Sequence, residues 1–452
     1  MSGDPNDALA GRRVLVLGLG ISGRSAARFC AARGARVVAA DERAADEIAE
    51  VRELGPGVEL VLGGGFPDPA GFDLVVPSPG VPPGRYAARA RRVWGDLELA
   101  FRHLSVPIVA ITGTNGKSTT TRLVEAMLRT TGLRAEAAGN IGAAALELVG
   151  KPLDVAVLEV SSFQLETIER FRARVAVILN VTPDHIDRHG DFAGYLAAKA
   201  RILENQGPGD VAVLSADDPA VEGLASRCRA EVRFFSQRRP VSAGAMLDAG
   251  AAVLLGRRGA TPLRVPLDDL RLTGTHNLEN VLASLAAVAA LGVDARKAAA
   301  ALVDFDGLPH RTELVRRRAG VSFVNDSKGT NVGAALRSLE SFREPIVWIG
   351  GGKDKDLDFA PLADAAVGRL RAAILIGQAA EKLARAFGGR VPVHRAASLE
   401  AAVALAAELA LPGDVVLLSP ACASFDQFKS YEDRGQRFRD AVQALPEAGG
   451  GA

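Results

Sequence analysis

Short apolar runs recur along the chain, each ending in glycine or polar residues and giving way to a stretch with helical spacing. Residues 13–17 form the first run and lead into Gly18-Leu-Gly-Ile-Ser-Gly23, a GxGxxG turn, then a helix to about residue 33. Further strands are predicted over 36–40, ending at Asp41, and over 73–76, ending in Pro77-Ser-Pro-Gly-Val81. Val106, Ile108, Val109, Ala110 and Ile111 make another buried strand, and the helix after Ser118 places Leu123, Val124, Met127 and Leu128 on one stripe before Gly132. Strands over 154–160 and 174–180 follow, then a helix over 191–205. Valine and leucine runs over 209–272 predict a β-rich continuation, and Gly274-Thr-His-Asn-Leu-Glu-Asn280 opens an Ala/Leu helix to about 291. From 307 strands are predicted at 321–324, 346–349, 373–376 and 415–418, a third parallel unit. The alternation predicts an α/β protein.

Candidate chemistry gathers where strands end. Ile111-Thr-Gly-Thr-Asn-Gly-Lys-Ser-Thr-Thr-Thr121 reads as a phosphate-binding loop, shortened because Gly113 and Gly116 enclose two residues instead of four. Backbone N–H groups and a helix N-terminus attract polyphosphate, Lys117 adds a point charge, and the Ser118 or Thr119 hydroxyl can ligate Mg²⁺. Glu159 ends one strand as a hard oxygen donor for Mg²⁺, and His185 follows another. The stripe of Phe192, Tyr195, Leu196, Ile202 and Leu203 also carries Lys199. A lysine there is paired, neutral or modified, or else it snorkels to water. Asn277 reads by itself as a helix N-cap. The GxGxxG turn with Asp41 resembles a dinucleotide fingerprint, although about one hundred residues suit a single nucleotide or its diphosphate sugar as well.

Composition narrows the field. A chain of 452 residues is long enough for roughly three domains. The net charge of +1 lacks the basic footprint of a nucleic-acid binder and favours small-molecule substrates. Three cysteines without metal-ligand spacing argue for a reducing compartment, the cytoplasm, and against zinc. The polar start is no signal peptide, and no run is long enough to span a membrane. Among 54 basic residues only nine are lysine, which draws attention to each one.

The loop Gly113-Thr-Asn-Gly-Lys-Ser-Thr119 is similar to that of the Mur ligases and folylpolyglutamate synthases. Leu308-Pro-His-Arg311, Asn325-Asp-Ser-Lys-Gly-Thr-Asn331 and Ser419-Pro-Ala-Cys-Ala-Ser-Phe-Asp-Gln-Phe428 resemble the Mur ligases that add D-glutamate. Gly351-Gly-Lys-Asp-Lys355 departs from the Gly-Gly-Asp-Gly-Lys of some members at Lys353 and Asp354 but keeps Lys355 aligned. The resemblance implies a cytoplasmic, monomeric enzyme of peptidoglycan synthesis that binds neither nucleic acid nor membrane. It implies three domains: a Rossmann-like UDP-binding domain (1–103), a P-loop ATPase-like domain with added β-structure (104–306), and a Rossmann-like domain that binds D-glutamate and closes on ATP (307–452).

It also implies roles. Gly113, Thr114, Asn115, Gly116, Lys117, Ser118, Thr119 and Thr120 would hold ATP with Asn277, Asn280, Arg311 and Asp326. The UDP substrate would meet Gly18, Ile21, Ser22, Asp41, Glu42, Arg43, Ser78 and Gly80, with Asn140 and His185 at its reacting end. Ser118 and Glu159 would ligate one Mg²⁺, and His185 with a carbamylated Lys199 a second. Lys328, Thr330, Lys355, Ser424 and Phe425 would form the D-glutamate pocket. Lys117, His185, Lys199 and Arg311 are the expected catalytic residues. A superfamily ligase for another amino acid is the nearest alternative. An NAD oxidoreductase would rest on Gly18 to Asp41 alone, and a non-catalytic ATP-binding regulator would leave Glu159 and Lys199 incidental.

Overall fold

A computed structural model describes residues 8–48, 51–55, 57–256, 261–267, 270, 272, 275–354 and 357–446. The chain divides into two compact units, Met1–Asp269 with Glu279–Asp304, and Leu270–Leu278 with Phe305–Ala452. Among the described residues no helix is long and apolar enough to cross a membrane.

The first unit contains two sheets. Strands β1 (Arg13–Leu17), β2 (Arg36–Asp41), β3 (Val58–Leu62) and β4 (Leu74–Pro77) form a parallel sheet in the order β3-β2-β1-β4. The second sheet takes β5 (Ile108–Thr112), β6 (Ala135–Gly139), β7 (Val155–Glu159), β8 (Val175–Ile178), β9 (Val211–Ser215), β10 (Glu231–Ser236), β11 (Gly244–Asp248), β12 (Ala251–Leu255) and β13 (Leu263–Pro266). Its order is β13-β12-β11-β10-β9-β8-β5-β7-β6, and β12 pairs antiparallel with both neighbours. The central strands β5, β7, β8 and β9 are buried throughout, because helices cover both faces of a parallel sheet.

One apolar core runs through the elements of both sheets, including Val14, Val16, Trp94, Leu97, Ile108, Leu158 and Phe171. Polar groups fasten the same seam. Buried Glu98 accepts the N–H groups of Glu169, Arg170 and Phe171 at 2.8–3.0 Å and pairs with Arg102, while the Trp94 indole donates to Glu169 at 2.7 Å. A buried carboxylate is stable here because its lone pairs are occupied.

The second unit holds β14 (Glu313–Arg318), β15 (Val321–Asn325), β16 (Ile346–Gly351), β17 (Leu370–Ile376), β18 (Val393–Arg395) and β19 (Val415–Leu418) in the order β14-β15-β19-β16-β17-β18. Separate apolar clusters cover its two faces. The expected parallel unit is therefore extended by β14, which runs antiparallel to β15. Its Glu-Leu-Val-Arg-Arg-Arg sequence lacks the apolar run of a central strand because it lies at the edge. The N-cap reading of Asn277 is corrected: the helix Thr275–Ala290 already starts two residues earlier, so Asn277 sits in its first turn.

Candidate active site

The phosphate loop joins β5 to the helix Lys117–Thr130. Gly113 and Gly116 have φ of +153° and +85°, which L side chains rarely adopt, and both are crowded. A Cβ on Gly113 would lie 3.0 Å from the Leu179 Cβ, and one on Gly116 only 2.3 Å from Asn280 Oδ1. Asn280 Oδ1 accepts from the Thr120 hydroxyl at 3.2 Å, which fixes the helix beside the loop. Asn180, which the sequence reading assigned no role, clamps the loop. Its carbonyl accepts from Thr114 N–H (2.8 Å), its Oδ1 from Asn115 N–H (2.9 Å), and its Nδ2 donates to Asn115 O (3.1 Å). Lys117 Nζ donates to the carbonyls of Gly113 and Thr114 at 3.0 and 2.9 Å.

Lys199 lies beneath this loop, 1% exposed, with Nζ donating to Gly113 O at 2.8 Å and sitting 4.5 Å from the centre of the Tyr195 ring. Burial, reinforced by the Lys117 charge, pushes its pKa well below the ordinary lysine value, against the weaker pull of Asp184 and Glu159. With Lys199 1% exposed and its Nζ bonded to Gly113 O, the lysine does not snorkel to water. Glu159 is 2% exposed; its Oε1 accepts from Asn140 Nδ2 at 2.8 Å, while Oε2 finds no hydrogen-bond partner among the described residues. His185 adopts φ +51° and packs edge-on to Phe163 and Tyr195, at 4.8 and 6.2 Å between ring centres. Desolvation lowers its pKa, although the side chain is half-exposed.

An unpartnered, buried carboxylate oxygen fits a hard divalent cation. Among the described residues no three His, Cys, Asp or Glu side chains are grouped to hold a metal. Mg²⁺ usually binds through one or two carboxylates together with substrate phosphates, a role open to the free Glu159 oxygen.

In the first sheet the GxGxxG turn is tight: a Cβ on Gly23 would fall 1.8 Å from Gly18 O. The Ser78 hydroxyl donates to Gly18 O at 2.6 Å. Asp41 accepts from Leu19 N–H at 2.7 Å and from the Arg43 backbone and side chain at 2.8–3.0 Å; the Arg43 hydrogen bonds, foremost, hold its pKa near 2. Asp41 thus shapes the turn, whereas Ile21 is exposed, Arg43 half-exposed and Glu42 paired with Arg85. Ser22 hydrogen-bonds buried Asp96, and Gly80 lies between Ser78 and Val81 in their turn.

In the second unit, Asp326 is buried and accepts from the hydroxyls of Ser338 and Ser419 and from Thr312 N–H. Desolvation raises its pKa to about 6, outweighing those bonds and the nearby Arg311 charge. A folded-state pKa above the unfolded value favours the folded state at low pH, and this advantage is lost as pH rises from about 4 to about 6. Raising pH across that window is expected to lower the melting temperature of the wild type relative to Asp326→Asn. Parallel shifts in both proteins would contradict the assignment.

Arg311 and Asn277 line a cleft of about 410 Å³ with Leu272, Asp306 and Leu308. The N–H of Lys328 donates to His310 O at 3.0 Å, and its ammonium sits 3.8 Å over Tyr431. Thr330 N–H donates to Lys328 O, Ser424 is buried, and Phe425 is 67% exposed. Lys355 lies outside the described residues. Lys117, Glu159, Asn140, His185 and Lys199 are therefore grouped in the first unit, and Arg311, Asp326, Lys328, Thr330 and Ser424 belong to the second.

Residues 12–91 match the family model for the Mur ligase MurD-like N-terminal domain, 111–288 the Mur ligase middle domain, and 310–422 the Mur ligase glutamate ligase domain. The UDP-N-acetylmuramoylalanine–D-glutamate ligase of Geobacter metallireducens is 49% identical over 447 residues, covering 97% of this chain and 98% of that one. Its namesake from Pelotomaculum thermopropionicum is 45% identical, covering 96% and 98%. Among solved structures, a pseudomurein peptide ligase type C from Methanothermus fervidus superposes with a TM-score of 0.63 at 18% identity, covering 96% of this chain and 100% of that one. MurF ligase of Thermotoga maritima in complex with ADP gives 0.61 at 18% identity, covering 97% and 98%. The last two share the three-domain α/β fold. With relatives this similar along nearly its whole length, the chain belongs to the Mur ligase family, in its MurD-like branch.

Proposed function

We propose that this protein joins D-glutamate to the alanine carboxylate of UDP-N-acetylmuramoyl-L-alanine, converting ATP to ADP and phosphate, in cytoplasmic peptidoglycan precursor synthesis. The observation that carries the reading is 49% identity across 97% of the chain to a relative of that name. The buried lysine and unpartnered carboxylate at the phosphate loop support it. In this reading 1–103 binds UDP, 104–306 binds ATP, 307–452 binds D-glutamate, and the enzyme works as a monomer.

Carboxylate is a poor electrophile and requires activation. The alanine carboxylate attacks the γ-phosphate, one of its oxygens becomes the bridge of an acyl phosphate, and ADP leaves. The D-glutamate amine then attacks the acyl carbon, and phosphate departs with that bridging oxygen. Lys117 and Arg311 stabilise the charge that develops, while the Gly113 to Thr120 loop orients the phosphates. Asn277, Asn280 and Asp326 hold the nucleotide. Asn140 and His185 position the acceptor, whose UDP portion lies along Gly18, Ile21, Ser22, Asp41, Glu42, Arg43, Ser78 and Gly80. Lys328, Thr330, Lys355, Ser424 and Phe425 receive D-glutamate. Ser118 and Glu159 would hold one Mg²⁺, and His185 with carbamylated Lys199 a second; bound there, the ions supply charge neutralisation to the phosphates.

Acceptor labelled with ¹⁸O in its alanine carboxylate tests the sequence of steps. One label should appear in phosphate for each amide formed, and unlabelled phosphate would exclude the acyl phosphate. Glu159→Gln should raise the Mg²⁺ concentration required for nucleotide binding at least about tenfold, because a hard anionic ligand is lost. Calorimetric titration of nucleotide at several Mg²⁺ concentrations checks this; an unchanged Mg²⁺ dependence would remove Glu159 from the metal site.

A further inference from the structure

Glu166 and the short helix Ile186–His189 form a cluster that none of these roles uses. Arg188 sets Nε and Nη2 on the two carboxylate oxygens of Glu166 at 3.1 and 2.6 Å, with its guanidinium 5.0 Å over Phe163. The same Nη2 donates to Val81 O at 3.2 Å. Val81 belongs to the turn around Gly18: its N–H donates to Ser78 O at 2.9 Å, and the Ser78 hydroxyl donates to Gly18 O at 2.6 Å. In the other direction, the N–H groups of Arg188 and His189 both donate to His185 O at 3.1 Å.

Aromatic packing extends the same connection. The His189 ring, 5% exposed, has Nε2 3.0 Å from the Ser162 hydroxyl and Nδ1 3.6 Å from Glu166. Phe163 and Tyr195 pack against His189 at 5.6 and 5.4 Å, and these two rings also hold His185. A positive φ at a histidine persists only where its surroundings fix it. Direct contacts thus run from the turn at Gly18 to the ring of His185. A largely buried guanidinium bonded at once to a carboxylate and a backbone carbonyl keeps both in fixed relation, and its planar fork is what permits this.

We propose that Arg188 is a positioning residue that couples occupancy of the nucleotide turn at Gly18 and Val81 to the orientation of His185. The proposal rests on the assignment of that turn to the UDP portion of the acceptor. Binding of the remote nucleotide then acts at the reacting end, so part of its free energy appears in kcat.

UDP titrated into the full chain labelled with ¹³C at histidine Cε1 tests the coupling, with calorimetry in parallel. The sequence has six histidines, and His185→Gln identifies the relevant signal. UDP should bind both the wild type and Arg188→Met and move the His185 signal only in the wild type. Glu166→Gln should diminish the movement, and it carries the comparison if Arg188→Met does not fold. Ligation by Arg188→Met should show a lower kcat with KM for ATP and D-glutamate unchanged. Equal movement in wild type and variants, or UDP binding without movement in the wild type, overturns the coupling. Absence of UDP binding to the wild type instead overturns the nucleotide assignment, and the coupling falls with it.

Discussion

Lys117→Ala is expected to lower kcat by at least about 10²-fold, the scale on which removing a preorganised charge from a transition state acts. Its ammonium rests on the carbonyls of Gly113 and Thr114, within reach of any anion that the loop holds. The loop does not depend on that ammonium for its shape, because Asn180 fastens Thr114 and Asn115, and the glycines set the turn. A folded but slow enzyme is therefore expected. Lys117→Arg should rescue little, since a planar fork replaces a compact charge in a crowded turn. Steady-state kinetics with unfolding curves for each variant decide the point; near-wild-type turnover of Lys117→Ala would overturn the phosphate-loop assignment.

Lys199→Ala is expected to abolish ligation, with part of the activity restored by added formate or acetate. The amine that attacks CO₂ must be neutral, and burial, with the Lys117 charge beside it, shifts Lys199 towards that form. In the proposed carbamate the nitrogen of the neutral amine bonds to the carbon of CO₂ and releases one proton to solvent, so that an uncharged group becomes an oxygen anion. Because the folded pKa is depressed, the neutral amine persists to lower pH than in an ordinary lysine and is lost as pH falls through that lowered value. Carbamate occupancy should fall in the same direction. The Lys117 charge depresses Lys199, so Lys117→Ala should also reduce carbamylation at a given pH. Protein equilibrated with ¹³C-bicarbonate should show a carbamate carbonyl signal that disappears in Lys199→Ala. Full activity of Lys199→Ala without any added carboxylate, or no such signal in the wild type, would remove the carbamate.

These sites were legible to different degrees, for physical reasons. The phosphate loop could be read because Gly113 and Gly116 are required by backbone geometry, which a sequence displays directly. Lys199 stood out because a cation on an apolar stripe conflicts with its surroundings, and the structure buries it. Asn180 was passed over: its three hydrogen bonds to the loop depend on β8 lying beside β5, which local spacing cannot convey. Arg188 escaped for the same reason, since its contact with Val81 crosses more than one hundred residues of sequence. Glu98, which reads locally as an exposed helix charge, is instead buried and accepts the N–H groups of residues 169–171, a contact across more than seventy residues of sequence. Edge strands such as β14 and β3 lack the continuous apolar runs that marked the central ones. Asp41 stood out by its spacing after the GxGxxG turn, and the bonds of its carboxylate to Leu19 and Arg43, which shape that turn, became visible only in the structure.

ADP release tests the central assignment most directly. Purified protein is supplied with ATP, Mg²⁺ and UDP-N-acetylmuramoyl-L-alanine and offered D-glutamate, L-glutamate, L-lysine, meso-diaminopimelate or D-alanyl-D-alanine separately. Release with D-glutamate alone, one ADP per amide formed, is the result predicted by the residues assigned to the second unit. Release with a different acceptor, or with none of the five, would contradict it.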